Sequence, residues 1–377
     1  MRIIDRYVLR QFLQAFVICY ISLTGLFVVF DAFANLDEFM RYSERHGNLL
    51  LVMGEFYSYR AVFFFDRICG IISLIAAMFT VTWIRRHNEL TALMAAGISG
   101  VRVAMPVMAA AVSIAILAAV SREIVIPQMR EQLSRDPKDL LGEMAKPLQP
   151  RYDHQSDILI RGKSTLAKDQ SISDPSFVLP PTLAQLGKQL AAQDAYWKVA
   201  DADHPSGYLL EELRPESVLD ELPSAKLDDR VVVYTPKDCA WLKPREAFVV
   251  SNVSFEQLTG GRGFRVFSST WNLIQALKNP SLDFGADVRV TIHMRMVQPL
   301  LDVTLLFLGL PLVLTREIRN VFLAIFRCIL LVAVFLGVVL GCQFLGSSYW
   351  IHPALAAWCP LILFVPAAVA LSDSLEI

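Results

Sequence analysis

Charge-free apolar stretches divide this chain into segments. The 20 residues between Arg10 and Asp31 carry no charge, enough to cross about 30 Å of hydrocarbon at about 1.5 Å per helical residue. Two more uncharged runs lie between Arg67 and Arg85 and between Arg102 and Arg122. From Arg327 to Asp373, 45 residues pass without an Asp, Glu, Lys or Arg. That is too long for one span, and it breaks at the turn-forming stretch from Gly346 to Pro353. A sixth run, Met296 to Thr315, holds a single acid, Asp302. The pattern predicts six transmembrane helices, at roughly 13–35, 57–84, 102–121, 296–315, 320–345 and 352–372.

Residues 122–290 differ in kind. They hold 21 of the 35 basic residues and 24 of the 36 acidic ones, with no apolar run of span length. Short alternating or β-branched stretches recur at Ile158–Ile160, Phe177–Leu179, Arg230–Tyr234, Ala247–Val250 and Arg289–Ile292. Turn formers separate them, as in Asp203-His204-Pro205-Ser206-Gly207 and Thr259-Gly260-Gly261. Such a series predicts an all-β sandwich or open barrel. The expected fold is an α-helical membrane protein with a 3 + 3 arrangement of spans and an inserted extracytoplasmic all-β domain. Its segments are 1–121, 122–290 and 291–377.

Composition agrees. The 377 residues are 54% hydrophobic and 19% charged, with a mean hydropathy of +0.45, where a soluble domain carries about 25% charge. A net charge of −1 argues against a nucleic-acid binder. Six scattered cysteines are no disulfide framework. Five of them, Cys19, Cys69, Cys328, Cys342 and Cys359, fall in apolar runs, where Cys serves as a small hydrophobe.

Arginines near the span ends set the expected orientation. Arg2, Arg6, Arg10, Arg85, Arg86, Arg102, Arg316 and Arg319 share one side. The short loops opposite hold Arg41 and Arg45 against Asp37, Glu38, Glu44 and Glu55. Both termini are therefore expected in the cytoplasm and the β domain outside. Ala32-Phe33-Ala34 mimics a signal-peptidase site, but the preceding apolar region is longer than the usual stretch of about 7–15 residues, so cleavage is not expected.

Catalytic motifs are missing. Gly162-Lys163-Ser164-Thr165 resembles the end of a phosphate loop, yet Asp157 stands where the first Gly is required, and a β-turn explains it better. No histidine pairs at i, i+4, and none has a partner at metal-ligand spacing, so no metal site is expected. Asn252-Val253-Ser254 fits a glycosylation acceptor only at chance frequency. The chain is expected to be no enzyme by itself and to bind no cofactor.

Three features carry information. In residues 1–15, Ile4, Val8 and Phe12 follow an apolar face while Arg2, Arg6 and Arg10 follow another, which suits an interfacial helix that turns into the first span. Residues 87–99 form a short loop helix rich in small residues. Glu89 offers it a charge, and Ala92, Ala95 and Ala96 permit close approach to a partner; a plain turn capped by Gly97 is the alternative. The third feature is Arg60, Asp66 and Arg67 in the outer part of the second span. Asp66 stands about 27 Å above Ile84 by helical rise. These charges are either snorkelling groups with an Asp66–arginine pair or, together with Asp31, a site for anionic lipid headgroups.

These residues also resemble a known family. Ile4-Asp5-Arg6-Tyr7-Val8-Leu9-Arg10, Glu89–Ser99, His293–Leu300, Gly309-Leu310-Pro311 and His352-Pro353 with Ala356-Ala357-Trp358 are similar, in order, to motifs of the lipopolysaccharide-export permeases (YjgP/YjgQ, or LptF/LptG). The resemblance implies a permease subunit of an ABC-type exporter that passes lipopolysaccharide, or a similar large anionic lipid, to a periplasmic β-jellyroll bridge. It implies a β-jellyroll outer domain, a homologous partner subunit, a cytoplasmic ATPase dimer that uses ATP and Mg, and residence in the bacterial inner membrane. Glu89, Leu90, Ala92, Leu93, Ala96 and Gly97 would form the coupling helix, and the first and fifth spans a lateral gate. Met94 stands where the family often has Arg. A non-transporting scaffold with a periplasmic docking domain, or a permease for lipoprotein release, remains the alternative.

Overall fold

The computed structural model describes residues 3–135, 137, 144–201, 204–214, 219–227, 230–259, 261–282, 284–314 and 321–373. Of the residues named above, Arg2, Asp203, Gly260, Thr315, Arg316 and Arg319 lie outside them.

In chain order the first helices are α1 (Ile3–Ala34), α2 (Leu36–His46), α3 (Leu49–Arg86), α4 (Glu89–Ala95) and α5 (Gly100–Val120). A π-helical turn, Ser121–Val125, joins α5 to α6 (Ile126–Gln128) and α7 (Arg130–Ser134). Strands β1 (Lys146–Pro147), β2 (Arg151–Asp153), β3 (Ile158–Arg161), β4 (Ser164–Leu166), β5 (Ser171–Ser173) and β6 (Ser176–Val178) follow. Then come β7 (Gln189–Lys198), β8 (Gly207–Leu213), β9 (Ala225–Leu227), β10 (Arg230–Tyr234) and β11 (Ala247–Val250). The chain continues with α8 (Phe255–Thr259), α9 (Gly261–Phe267), α10 (Thr270–Leu277), α11 (Ala286–Leu314), α12 (Val321–Ser347) and α13 (Pro353–Asp373).

Contacts divide the chain into two units. The helical unit takes Met1–Leu36, Gly47–Leu133 and Gly285–Ile377. Among the described residues, six of its helices are long and apolar enough to cross a membrane: Ile3–Ala34, Leu49–Arg86, Arg102–Gln128, Ala286–Pro311, Phe326–Ser347 and Pro353–Leu371. Helices suit this environment because every backbone group is bonded within its own segment.

Three expectations change here. The turn expected between an interfacial helix and the first span is absent, because α1 runs unbroken for 32 residues. No Gly or Pro interrupts it before Gly25, and Val8, Phe12 and Phe16 are buried in the bundle core. Arg289–Ile292, expected as a strand, is helical in α11. The buried Val288, Val290 and Ile292 show tertiary packing overriding β propensity. The third span continues to Gln128, past the boundary expected at Arg122, because that arginine is paired inside the bundle.

The second unit, Asp37–His46 with Ser134–Phe284, holds the expected antiparallel sheet and also α8, α9 and α10, which strand patterning did not foresee. The main path runs β1-β4-β5-β7-β8-β11-β10-β9. Strand β7 belongs to two ladders on one edge: Ala191 faces Ser176 of β6, whereas Asp194 faces Ser173 of β5. The sheet therefore splits along β7, and β2-β3-β6 forms a second flap. Phe177, Leu190, Leu210 and Tyr208 fill the core between them. The buried Tyr208 hydroxyl donates to the Val253 carbonyl at 3.0 Å, and burial, reinforced by the Asp153 carboxylate, holds the phenol well above its ordinary pKa. Asp153 in turn accepts from the Ser251 hydroxyl at 2.6 Å and from the Gln155 amide at 3.0 Å, tying an early strand to the chain just past β11. The Gly162-Lys163 segment is a turn between β3 and β4, where the Lys163 amide bonds to the Ser173 carbonyl at 3.0 Å.

Candidate functional site

The helical unit concentrates its polar chemistry in three places. The first is α4. Asn88 takes a left-handed conformation, φ 59°, which turns the chain sharply after α3. At the other end Gly97, φ 79°, permits a Schellman closure: the Ile98 amide bonds to the Leu93 carbonyl and the Gly97 amide to the Met94 carbonyl, both at 3.0 Å. Leu93 and Ile98 pack on the bundle core alongside buried Leu90. The opposite face leaves Thr91, Ala92, Met94, Ala95 and Ala96 exposed. The helix is thus clamped on one side and presents a low, small-residue surface on the other. Glu89 is held as well, because the Tyr7 hydroxyl of α1 lies 2.9 and 3.1 Å from its two carboxylate oxygens. Tyr7 was not foreseen as its partner. Arg6 and Arg10 are exposed on the same helix.

The second place centres on Tyr57, which has Asp31 and Arg60 as neighbours. Asp31 accepts from the Tyr57 hydroxyl at 2.9 Å, and the Arg60 guanidinium lies over the Phe56 ring, 4.4 Å from its centroid. Arg60 is close enough to act electrostatically on Tyr57.

The third place holds Asp66, and it is separate from the second. Arg122 clasps the Asp66 carboxylate with Nη2 at 2.8 Å and Nε at 2.9 and 3.1 Å. Both side chains are largely buried, 5% exposed for Asp66 and 13% for Arg122. Of the arginines considered from sequence, Arg67 instead lies over Phe63, 5.3 Å from the ring centroid. Arg122 and its neighbour Glu123 sit in the π-helical turn, a local insertion in the helical ladder that recurs at functional sites. Arg295 of α11 lies within electrostatic reach of Arg122, Glu123, Asp66 and Arg67.

Deeper along α11, Gln298 donates to Asp302 at 2.9 Å. The Asp302 carboxyl packs on Gly70 so closely that a β-carbon there would overlap it. Beside them Cys69, Ser73, Ala111 and Ala115 line a cavity of about 10 Å³, room for roughly one water.

The headgroup candidates expected from sequence lie on α1 (Asp31) and α3 (Arg60, Asp66 and Arg67), and the structure adds charges from the turn after α5 and from α11. Arg122, Glu123 and Arg295 were missed because each stands at the edge of an uncharged run, where a basic residue reads as ordinary flanking charge. The available signal was a lone Asp66 within a span, which demands a cation at the same height on a neighbour. No group of metal-binding side chains occurs among the described residues.

No curated protein sequence matches the chain. The sequence model of the family described as "Lipopolysaccharide export system permease LptF/LptG" matches residues 6–163 and 200–373. Those ranges take in most of the chain, including all six long helices, α4 and both charged clusters. This multi-pass inner-membrane protein therefore belongs to the LptF/LptG family, the permeases of the lipopolysaccharide export system.

Proposed function

We propose that the chain is one permease subunit of an ABC-type exporter that lifts lipopolysaccharide, or a chemically similar anionic lipid, out of the inner membrane. It has no active site or cofactor of its own in this reading. ATP and Mg are used by a separate cytoplasmic ATPase dimer, and a homologous permease completes the lipid cavity. The positively flanked end, with Arg6, Arg10, Arg85, Arg86 and Arg102, faces the cytoplasm, and the insert is a periplasmic, jellyroll-like domain that hands lipid to a β-jellyroll bridge. The first and fifth long helices, α1 and α12, form the lateral gate.

The observation that carries the reading is α4. Leu90, Leu93 and Ile98 fix it to the bundle while Ala92, Met94, Ala95 and Ala96 are left facing outward. A rigidly mounted helix with a shallow outer face transmits a push from a partner without deforming. The Tyr7–Glu89 bond extends that push to α1. Arginines at the opposite end, around Asp66 and Arg122, suit phosphate oxygens, to which planar guanidinium forks bind in pairs.

Glu89→Arg tests this directly. The expected outcome is loss of ATPase association and of ATP-driven lipid release, with the permease still folded. Tyr7→Phe removes only the internal bond and should keep ATPase association. Wild-type ATPase binding and lipid release by Glu89→Arg would rule out α4 as the coupling element.

A further inference from the structure

The α12–α13 seam carries a chemistry that lipid transport does not use. Three pairs mark its register. Gly346 packs against Ala356 so tightly that a β-carbon on the glycine would overlap the alanine methyl. Further along, Cys342 and Cys359 fall at the same level of the seam, near enough for the two thiols to act on one another, and beyond them Phe335 meets Phe364 with ring centroids 4.8 Å apart. The residue numbers fall on one helix as they rise on the other, as an antiparallel pair requires. Gly346 draws the backbones together one turn from the cysteines. Such proximity is what a disulfide needs, since its α-carbons stand only about 4.4–6.8 Å apart. Both thiols are free. Cys342 is buried, whereas Cys359 lies on the outer surface of the bundle. By helical rise each is within about 10 Å of the connection between the two helices, close to the membrane surface.

We propose that Cys342 and Cys359 form a reversible dithiol–disulfide pair that staples α12 to α13 when an external disulfide oxidises it. Cys359, the accessible thiol, loses its proton and attacks one sulfur of the external disulfide, expelling a thiolate. Cys342, deprotonated in turn, attacks the Cys359 sulfur of the mixed disulfide and expels the second thiolate. Two electrons pass to the external disulfide, which leaves as two thiols, and a single S–S bond joins the helices. Exchange of this kind proceeds through the thiolate, at a rate set by the thiolate fraction, the leaving thiol and access. The apolar setting explains why composition alone reads both residues as small hydrophobes. The pairing rests on the helix seam and is independent of the orientation proposed above.

The test uses the full chain in its native membranes, treated with 4,4′-dithiodipyridine and then unfolded in detergent with a maleimide present to trap remaining thiols before digestion and mass spectrometry. The expected product is a linked peptide pair about 2 Da lighter than the two free-thiol peptides, restored by dithiothreitol. Cys342→Ser should stop at a stable pyridyl adduct on Cys359, and Cys359→Ser should leave Cys342 largely unmodified. A wild-type chain that keeps the pyridyl adduct on Cys359 while Cys342 stays maleimide-reactive would overturn the proposal.

Discussion

Arg122 holds both carboxylate oxygens of Asp66, 56 residues away in sequence, at 2.8–3.1 Å inside the helical bundle. Each charge alone would be expensive in this setting; paired and forked, they satisfy one another. The pair also explains the length of the third long helix. Arg122 does not end the helix at the membrane surface but carries it on through a π-helical turn.

Breaking this pair from one side should cost more than removing it. Asp66→Ala or Arg122→Ala leaves a buried charge without its partner, and each is expected to destabilise the helical unit by about 3–5 kcal/mol. Asp66→Leu with Arg122→Met removes both charges and should recover most of that loss. Detergent-solubilised thermal unfolding of the four proteins measures it. Equal, additive losses would show that the two side chains are not coupled.

Gly70 is the second point of close approach. A methyl group there meets the Asp302 carboxyl, so Gly70→Ala is expected to push α3 from α11 and cost about 1–3 kcal/mol, the usual price of overpacking. Combining it with Asp302→Ala makes room and should return part of the stability. The same unfolding assay reads the rescue, and the absence of any rescue would place the strain elsewhere.

In the sheet unit, the Asp238 carboxylate accepts from the Ser224 amide at 2.6 Å. That bond, more than any nearby charge, holds its pKa below the ordinary carboxylate value. A depressed carboxylate stabilises the fold above its unfolded pKa, and the contribution disappears as pH falls through the lower folded value. Amide exchange at Ser224, corrected for intrinsic rates, should stay protected from neutral pH down to the ordinary carboxylate range and rise below it. Asp238→Asn should bring the rise to neutral pH. Equal protection in both proteins at neutral pH would remove the carboxylate from the explanation.

The spans were legible because hydrocarbon forbids charge, and a run such as 11–30 therefore declares itself. Their ends were harder to read. Once a helix leaves hydrocarbon, charge no longer marks where it stops, so α1 begins well before residue 13 and α11 well before 296. β-branched strands such as Arg230–Tyr234 and Ala247–Val250 showed their pattern, whereas the longer Gln189–Lys198 and Gly207–Leu213, built on Ala, Gln, Leu and Glu, did not read as strands, and Lys146–Pro147 has no period to detect. At the charged sites, sequence located Asp66 and Glu89 but not their partners. Tyr7 and Arg122 lie 82 and 56 residues away from them, and only the antiparallel packing of helices brings those heights together.

The family assignment rests on the matched sequence, and the transport mechanism on α4 and the buried arginines. The most direct measurement is native mass spectrometry of the chain purified in mild detergent with its cellular partners. An ATPase dimer, a second permease subunit and a bound multi-acyl lipid carrying phosphate are the expected result. A lone chain with only bulk phospholipid would contradict it.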